Sequence, residues 1–336
     1  MKAVGYVEQK AGLGVEGLVD LDLPVPEPGP HDLLVRVQAI AVNPRDIKMR
    51  GAQRASPENP RVLGWDAAGV VENMGSEVCG FTKGDHVLYA GNMLRAGANA
   101  EFHLVDARIA GRMPKTLDFS VAASLPLATL TAWEMLFDRL GVPRSGGDSK
   151  NLLILGGAGG VATMAVQLAS RLTNTTVIAS ASRPESEHWV RKMGAHHVVS
   201  HRANFGEELK SQKLAPIHWA FSMRTSPEAF AAMTSVAAPY GRIGFIDEPE
   251  GIDINLLKPK SLSLHAEAVF TKPIFETEDI EQQRHVLEEV AQLVADGRLQ
   301  SPVGACLGKI NATGLRRAHQ AIESGASIGK IVLEGF

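Results

Sequence analysis

Three observations predict an α/β chain in which a doubly wound parallel sheet follows a mainly β half. Turn formers cut the first hundred or so residues into short β-like runs. Apolar strands then alternate with helical patterns from residue 151 to residue 247, and a glycine-rich turn separates the first strand and helix of that alternation. A length of 336 residues suits two domains. With 45% hydrophobic and 21% charged residues the composition is ordinary for a globular chain, which excludes a disordered chain or a low-complexity scaffold. Lys and Arg number 34 against 37 Asp and Glu, a formal charge of -3, so the basic excess of a nucleic-acid footprint is missing and the expected partners are small molecules. The two cysteines, Cys79 and Cys306, cannot build a disulfide framework or a four-cysteine zinc site, and they point to a reducing, cytoplasmic compartment. Glu8 and Lys10 interrupt the opening stretch before an apolar run can form, so no secretory signal is expected. The uncharged stretch 151–170 is broken by GGAGG and reads as strand, turn and helix instead of a membrane span.

Taken in order, PEPGP (26–30), GAQRASPENP (51–60) and isolated glycines from Gly64 to Gly84 separate the runs LLVRVQAIAV (33–42), AGVVENM (68–74), DHVLYA (85–90) and AEFHLV (100–105), each short enough for a strand. After Pro114 the period changes. Leu125, Leu127, Leu130, Trp133, Leu136 and Phe137 recur at helical spacing, with Pro126 near a helix start and Gly141 at its stop. NLLILGG (151–157) reads as a strand, 160–172 as a helix, 175–182 as a strand, and 184–194 as a helix with Pro184 in its first turn and Gly194 at its end. HHVVS, HWAFSM and GRIGFID follow as strands, with 228–237 as a helix before the last. LSLHAEAVF (262–270) reads as a strand and 278–296 as an amphipathic helix. A last helix capped by Asn311 precedes the strand KIVLEGF, a tail expected to pack back on the N-terminal half.

GAGGVA, with Gly157, Gly159 and Ala162, matches G-x-G-x-x-G/A in the setting that gives the pattern meaning, after a strand and before a helix. Gly157 permits the tight turn, Gly159 lets backbone approach a pyrophosphate, and small Ala162 allows helix and strand to close up. The amides of Gly157, Ala158, Gly159, Gly160 and Val161 then face the phosphates at a helix N-terminus. An unliganded glycine turn is the other reading. The acid that would take the adenosine ribose hydroxyls is missing from the end of the second strand, where Ser180, Ser182 and Arg183 stand. Two hydroxyls and a guanidinium suit a 2'-phosphate, so the expected cofactor is NADPH, against the alternative that Arg183 is a solvated helix-start residue.

With AVNPRD (41–46), LGWDAAGVVENMGSEV (63–78), KGDHVLY (83–89), AEFHLVD (100–106), LPLATLTAW (125–133), GGAGGVA (156–162) and GKIVLEG (329–335), the chain resembles the medium-chain dehydrogenase/reductase superfamily over nearly its whole length. It is most similar to the quinone-oxidoreductase-like branch and to the group called zinc-type alcohol dehydrogenase-like proteins. The resemblance implies a GroES-like, mainly β catalytic domain (1–125, completed by 268–336), a Rossmann NADP-binding domain (126–267) and an active site in the cleft. It also implies a homodimer formed by the edge strand within 262–270. It places Asn43 and Asp46 beside the nicotinamide, Thr131 against its carboxamide, Phe245 and Ile246 near the same ring, and Ser180, Ser182, Arg183 and His201 near the 2'-phosphate. These are positioning roles. For Asn43 the other reading is turn chemistry before Pro44, and for Thr131 a helix hydroxyl bonded to its own backbone. Tyr89 and Asp66 are further candidates, with a sheet-surface phenol and a structural carboxylate as their other readings.

Departures from the superfamily carry as much information. Zinc-dependent members place a cysteine where this chain has Asn43 or Pro44, a Gly-His-Glu where it has Gly64, Trp65 and Asp66, and a four-cysteine lobe that is missing between Tyr89 and Ala100. Three ligands of the right type are therefore lacking, and no metal is expected. The expected activity is NADPH-dependent, zinc-independent hydride transfer to a quinone or other conjugated carbonyl. A carbonyl reductase or alcohol dehydrogenase of the same superfamily, and a cofactor-binding structural or sensor protein with little turnover, are the alternatives.

Overall fold

A computed structural model describes residues 1–145, 149–200 and 205–336. The chain divides into two compact units, Met1–Leu127 with Phe270–Phe336, and Ala128–Val269.

The first unit carries β1 (Lys2–Tyr6), β2 (Val19–Asp22), β3 (Asp32–Val42), β4 (Arg61–Val62), β5 (Ala67–Met74), β6 (His86–Tyr89), β7 (Phe102–Asp106) and β8 (Gly111–Arg112). The second carries β9 (Asn151–Leu155), β10 (Thr176–Ser180), β11 (His197–Val199), β12 (Ile217–Ser222), β13 (Ala237–Phe245) and β14 (Ser263–Ala266). The chain then returns to the first unit with β15 (Val303–Cys306) and β16 (Lys330–Glu334). β1, β2 and β4 make a small antiparallel sheet, while β15-β16-β3-β5-β6-β8 run side by side with β7 also on β3.

The eleven-residue β3 is the spine of that larger sheet. β5 follows one edge for most of its length. The other edge is shared, with β7 pairing Asp32 to Arg36 and β16 pairing Ala39 to Val42. A side chain at Gly69 would put its Cβ 2.3 Å from the Arg36 carbonyl oxygen, so the glycine in the Val-rich β5 marks a point where β3 leaves no room for one.

In the second unit the order is β11-β10-β9-β12-β13-β14, every neighbouring pair parallel. This is a doubly wound Rossmann sheet with its topological switch between β9 and β12. Helices Gly160–Leu172, Pro184–Lys192, Phe205–Ser211 and Pro227–Val236 form the crossovers. Leu153, Ile178, Phe230 and Ile243 lie in one apolar cluster that covers a face of the sheet. The five strands and three helices read from the sequence between 151 and 247 lie where expected, the strands because one buried on both faces has to be continuously apolar.

Three elements differ from expectation. The helix expected from about Pro126 to Gly141 starts at Pro126 but is two pieces, Pro126–Trp133 and a π-helical turn Glu134–Arg139, with a separate short helix Phe119–Ala123 before it. Pro126 offers no N–H to an earlier turn, so the helix must restart there. The strand expected over 262–270 is confined to Ser263–Ala266, because β13 ends at Phe245, which pairs Ala266, and offers nothing beyond. The helix expected from 278 begins at Gln282, after a turn in which the Thr277 hydroxyl donates to Asp279. No helix among the described residues is long and apolar enough to cross a membrane.

Candidate active site

The glycine turn opens the carboxyl end of β9. Gly156 and Gly157 take φ of +149° and +63°, so the chain reverses through conformations that favour glycine. Gly156 is also pinned sterically, since a Cβ there would sit 2.1 Å from Met223 Cγ. Gly159 is different. Its backbone is extended, φ -68° and ψ 167°, and a Cβ there would meet only the Gly156 carbonyl oxygen at an ordinary 3.8 Å. Neither conformation nor packing within the protein requires glycine at this position. What glycine leaves open is a cradle beside the first turn of helix Gly160–Leu172, whose N-cap supplies no side chain to the free amides. Buried Ala158 and half-buried Gly160 and Val161 line the turn, and Ala162, 1% exposed, closes the helix onto the sheet. The residues present fit a dinucleotide pyrophosphate.

Ser180, Ser182 and Arg183 stand at the end of β10, but not on equal terms. Ser180 is fully buried and its hydroxyl oxygen accepts the Gly156 amide at 3.1 Å, so it braces the turn from inside instead of facing a 2'-phosphate. Ser182 is half-buried. Arg183 is the N-cap of helix Pro184–Lys192, its amide donating to Ser186 Oγ and its carbonyl accepting the same hydroxyl. His201 lies outside the described residues. Phe245 and Ile246 are half-buried at the carboxyl end of β13, and Thr131, in helix Pro126–Trp133, is 5% exposed.

The first unit builds a polar cluster in an apolar setting. Asn43 ends β3 as the N-cap of helix Pro44–Met49, and Asp46 in that helix accepts the Asn43 amide at 2.7 Å, the carboxylate half of a capping box. Asp66 precedes β5 and is fully buried. Its Oδ1 accepts the Leu127 amide at 2.7 Å, and its Oδ2 accepts Asn43 Nδ2 at 2.9 Å and Lys330 Nζ at 2.7 Å. Lys330 also donates to Asn43 Oδ1 and, at 3.4 Å, to the Val42 carbonyl. Both protons of the Asn43 amide are thus engaged, by Asp66 and by the Ala41 carbonyl at 3.4 Å. Reversing the amide would set its oxygen against the carboxylate and its NH₂ against the ammonium, so the charges on either side fix its orientation. In this arrangement the Asn43 side chain has no amide proton left to donate, and what it retains is a lone pair on Oδ1.

Asp46 is 1% exposed, and its Oδ1 finds no partner among the described residues. Burial pushes its carboxyl up to about 7, helped by the nearby Asp66 charge and opposed by the Asn43 amide and Lys330. Burial also pushes Asp66 up, while Lys330, the Leu127 amide and the Asn43 side chain pull it back. Tyr89 is not a sheet-surface phenol but is buried, its ring stacked on His103 and its hydroxyl 3.1 Å from His103 Nδ1. His103 Nε2 lies 2.9 Å from the Ala96 carbonyl, which requires the proton on Nε2 and makes Tyr89 the donor to Nδ1. Burial lowers this imidazole to about 4 and raises the phenol. Lys330 is the member of the cluster that sequence reasoning overlooked. The signal available was a cation directly before the apolar run Ile331–Leu333 of the C-terminal strand.

With these arrangements in view, residues 29–115 match the family described as alcohol dehydrogenase GroES-like domain, and residues 193–333 the family described as zinc-binding dehydrogenase. A zinc-type alcohol dehydrogenase-like protein of Staphylococcus epidermidis (strain ATCC 12228 / FDA PCI 1200) is 34% identical over 338 residues, 99% of either chain. A crystal structure from Rhizobium etli CFN 42, described as a candidate zinc-dependent alcohol dehydrogenase, has 45% identity and a TM-score of 0.95, covering 100% of this chain and 98% of that one. Escherichia coli quinone oxidoreductase complexed with NADPH shares the fold at 22% identity and a TM-score of 0.84, with 100% of both chains covered. The chain belongs to the medium-chain dehydrogenase/reductase superfamily of oxidoreductases, in the group called zinc-type alcohol dehydrogenase-like proteins.

The group's name implies zinc, and the residues here do not fit it. Trp65 presents a buried indole N–H, a donor with no lone pair to give. The Lys330 ammonium covers the Asp66 and Asn43 oxygens that a cation would need. Among the described residues no group of three or more His, Cys, Asp or Glu is disposed to hold a metal.

The raised Asp46 carboxyl predicts a stability change with a definite sign. Between an ordinary value of 3.8 and about 7 the folded chain holds a proton that the unfolded chain has released, so this group's contribution to stability falls as pH rises through that window and levels off above it. Asp46→Asn, which mimics the protonated acid, should gain on the order of 2–4 kcal/mol relative to wild type between pH 4 and pH 8 in denaturant titrations. Parallel profiles for the two proteins would show that Asp46 holds no such proton.

Proposed function

We propose that the chain is an NADPH-dependent, zinc-independent oxidoreductase that transfers a hydride to a quinone or other conjugated carbonyl such as an enone. The observation that carries the cofactor half of this reading is Gly159, a glycine that only something outside the protein requires, beside an uncapped helix N-terminus. The amides of residues 157–161 hold the pyrophosphate. Arg183 and Ser182 take the 2'-phosphate, which no carboxylate at the end of β10 repels, and Ser180 keeps the turn in shape beneath them. A quinone oxidoreductase of the same fold, solved with NADPH, lends this support.

When bound, NADPH supplies the hydride. Thr131, Phe245 and Ile246 orient the nicotinamide from the Rossmann unit, and Asn43 and Asp46 belong to the same reacting end. Asn43 offers an acceptor, suited to a ribose hydroxyl or the carboxamide NH₂. A hydride delivered to a conjugated carbon leaves charge spread over an enolate or quinol anion, far less basic than an alkoxide, so the protein need not provide a Lewis acid. Solvent can return the proton. The free, exposed cysteines Cys79 and Cys306 suit a reducing, cytoplasmic compartment.

We also read the chain as a homodimer through β14, the edge strand of the Rossmann sheet, with Ile254 and Leu256 exposed on the 3-10 helix Ile254–Lys260 just before it. Light scattering at micromolar concentration should give twice 35.9 kDa, and a single chain's mass would reject this assembly.

Wild-type enzyme should bind NADPH at least about tenfold tighter than NADH, about 1.5–3 kcal/mol from the charge-assisted phosphate contacts, and Arg183→Ala should narrow that gap. Equal affinities in the wild type would remove Arg183 from the site. The substrate reading is tested on metal-stripped enzyme by comparing kcat/KM for a quinone, an enone and an aldehyde with NADPH, and for an alcohol with NADP. Conjugated acceptors are expected to be faster, and preference for the aldehyde and alcohol pair would overturn the reading.

A further inference from the structure

We propose that Lys330 is a positioning residue for the reacting end, an internal cation that holds Asp66 as an anion and thereby sets the direction of the Asn43 amide. The proposal rests on the placement of Asn43 given above, and it deepens that reading by naming what holds the residue.

The ammonium is 4% exposed at the first position of β16, delivered there by the antiparallel register that sets Ile331 against Val42. It has three protons and three acceptors, Asp66 Oδ2, Asn43 Oδ1 and the Val42 carbonyl. No N–H remains for a phosphate or a substrate oxygen, so its work is internal. Two carboxylates share this buried space with one ammonium, and the donors are unevenly divided. Asp66 receives three, from Leu127, Asn43 and Lys330, while Asp46 receives the Asn43 amide alone and leaves Oδ1 without a partner. The anion therefore settles on Asp66, and Asp46 is the group able to carry a proton at neutral pH.

Among the described residues no other cation takes this role. Arg50, at the end of the helix that carries Asp46, is committed to Glu323 and His319 on helix Ala312–Glu323 and to the Leu13 carbonyl. On the same helix Arg45 is half-buried and Lys48 exposed. Without Lys330, two unpaired carboxylates would lie side by side in an apolar interior, and Asp66 would have to take up a proton. A protonated Asp66 is itself a donor, and the Asn43 amide could then turn to present NH₂ where it now presents a lone pair.

The test uses full-length Lys330→Met, Lys330→Arg, Asp66→Asn and the Lys330→Met/Asp66→Asn double variant. Hydride-transfer rates at saturating NADPH with a quinone, NADPH affinity, thermal unfolding and ¹³C titration of the aspartate carboxyls are measured from pH 5 to pH 9. Lys330→Met should lose at least tenfold in rate with NADPH affinity unchanged within threefold, and the cluster's apparent pKa should rise by one unit or more. Lys330→Arg should restore most of the rate and of the pH profile. Unfolding temperatures should be strongly non-additive, the double variant recovering stability that either single change loses. If Lys330→Met does not fold, the titration of Lys330→Arg against the double variant decides: a wild-type titration in a folded double variant overturns the proposal. It is also overturned by a tenfold loss of NADPH affinity at unchanged rate, which would make Lys330 a cofactor contact, or by additive unfolding temperatures. Should no quinone be reduced by wild type, the functional reading fails, while the titration and the unfolding cycle still judge Lys330.

Discussion

Everything in the first unit is arranged around the half-open edge of β3. β7 covers only Asp32 to Arg36, so an eleven-residue strand in the middle of a sheet would expose the backbone groups of its second half unless another segment paired with them. The chain's last strand does so, after the whole Rossmann unit has intervened. The pairing therefore joins strands at opposite ends of the chain, and it determines where Lys330 arrives. Because successive side chains of a strand point to opposite faces, a shift of one residue in this register would carry the ammonium to the other face of the sheet, away from Asp66. A backbone constraint and a side-chain cluster specify each other.

The two halves of the candidate site differ in how they can be recognised. A phosphate-binding turn is made of backbone, so its evidence is what is missing: side-chain atoms at Gly159 and a carboxylate at the end of β10. The glycines of the motif are not equivalent, since Gly156 answers to Met223 and Gly157 to its dihedral, and only Gly159 is left without an internal reason. The Asn43 cluster is the reverse case, built from side chains whose donors and acceptors are almost completely matched, with Asp46 Oδ1 and Trp65 Nε1 left over. Buried polar atoms without partners cost free energy, and retention of such atoms beside a matched network marks a region not shaped for stability alone.

Much of the fold was legible in the sequence because its signals are local. Continuous apolar runs, proline-started and glycine-stopped helices and the glycine turn placed the Rossmann strands and most crossovers. The misjudged elements depend on partners distant in sequence. Whether 267–270 continues β14 depends on where β13 ends, and the change to a π-helical turn after Trp133 leaves the apolar spacing that a periodicity argument reads unbroken. The same holds in the site. Ser180 carries a hydroxyl at the position expected for phosphate contact, yet the parallel pairing of β10 with β9 turns it inward to Gly156. Asn43 was legible only as a candidate, and the direction of its amide was not legible at all, because Lys330, 287 residues away, shares in setting it.

That arrangement also bears on which acceptors the site can serve. A bound metal acts as an electrophile because it keeps a coordination position open to the substrate. Lys330 has no such position, since its protons are already matched, so it can neutralise and orient but cannot polarise a carbonyl directly. On the function proposed above, a site with a saturated internal cation has to draw its rate from the alignment of hydride donor and acceptor and from the acceptor's own capacity to delocalise charge. Quinones and enones have that capacity and isolated carbonyls do not. On the same reading an ammonium stands in for a metal's charge, and while Asp46 holds a proton the cluster carries a matched ion pair and one acid instead of a net negative charge. Such a field does not repel an enolate or quinol anion as it forms, and it remains in that state only while Asp46 keeps its proton.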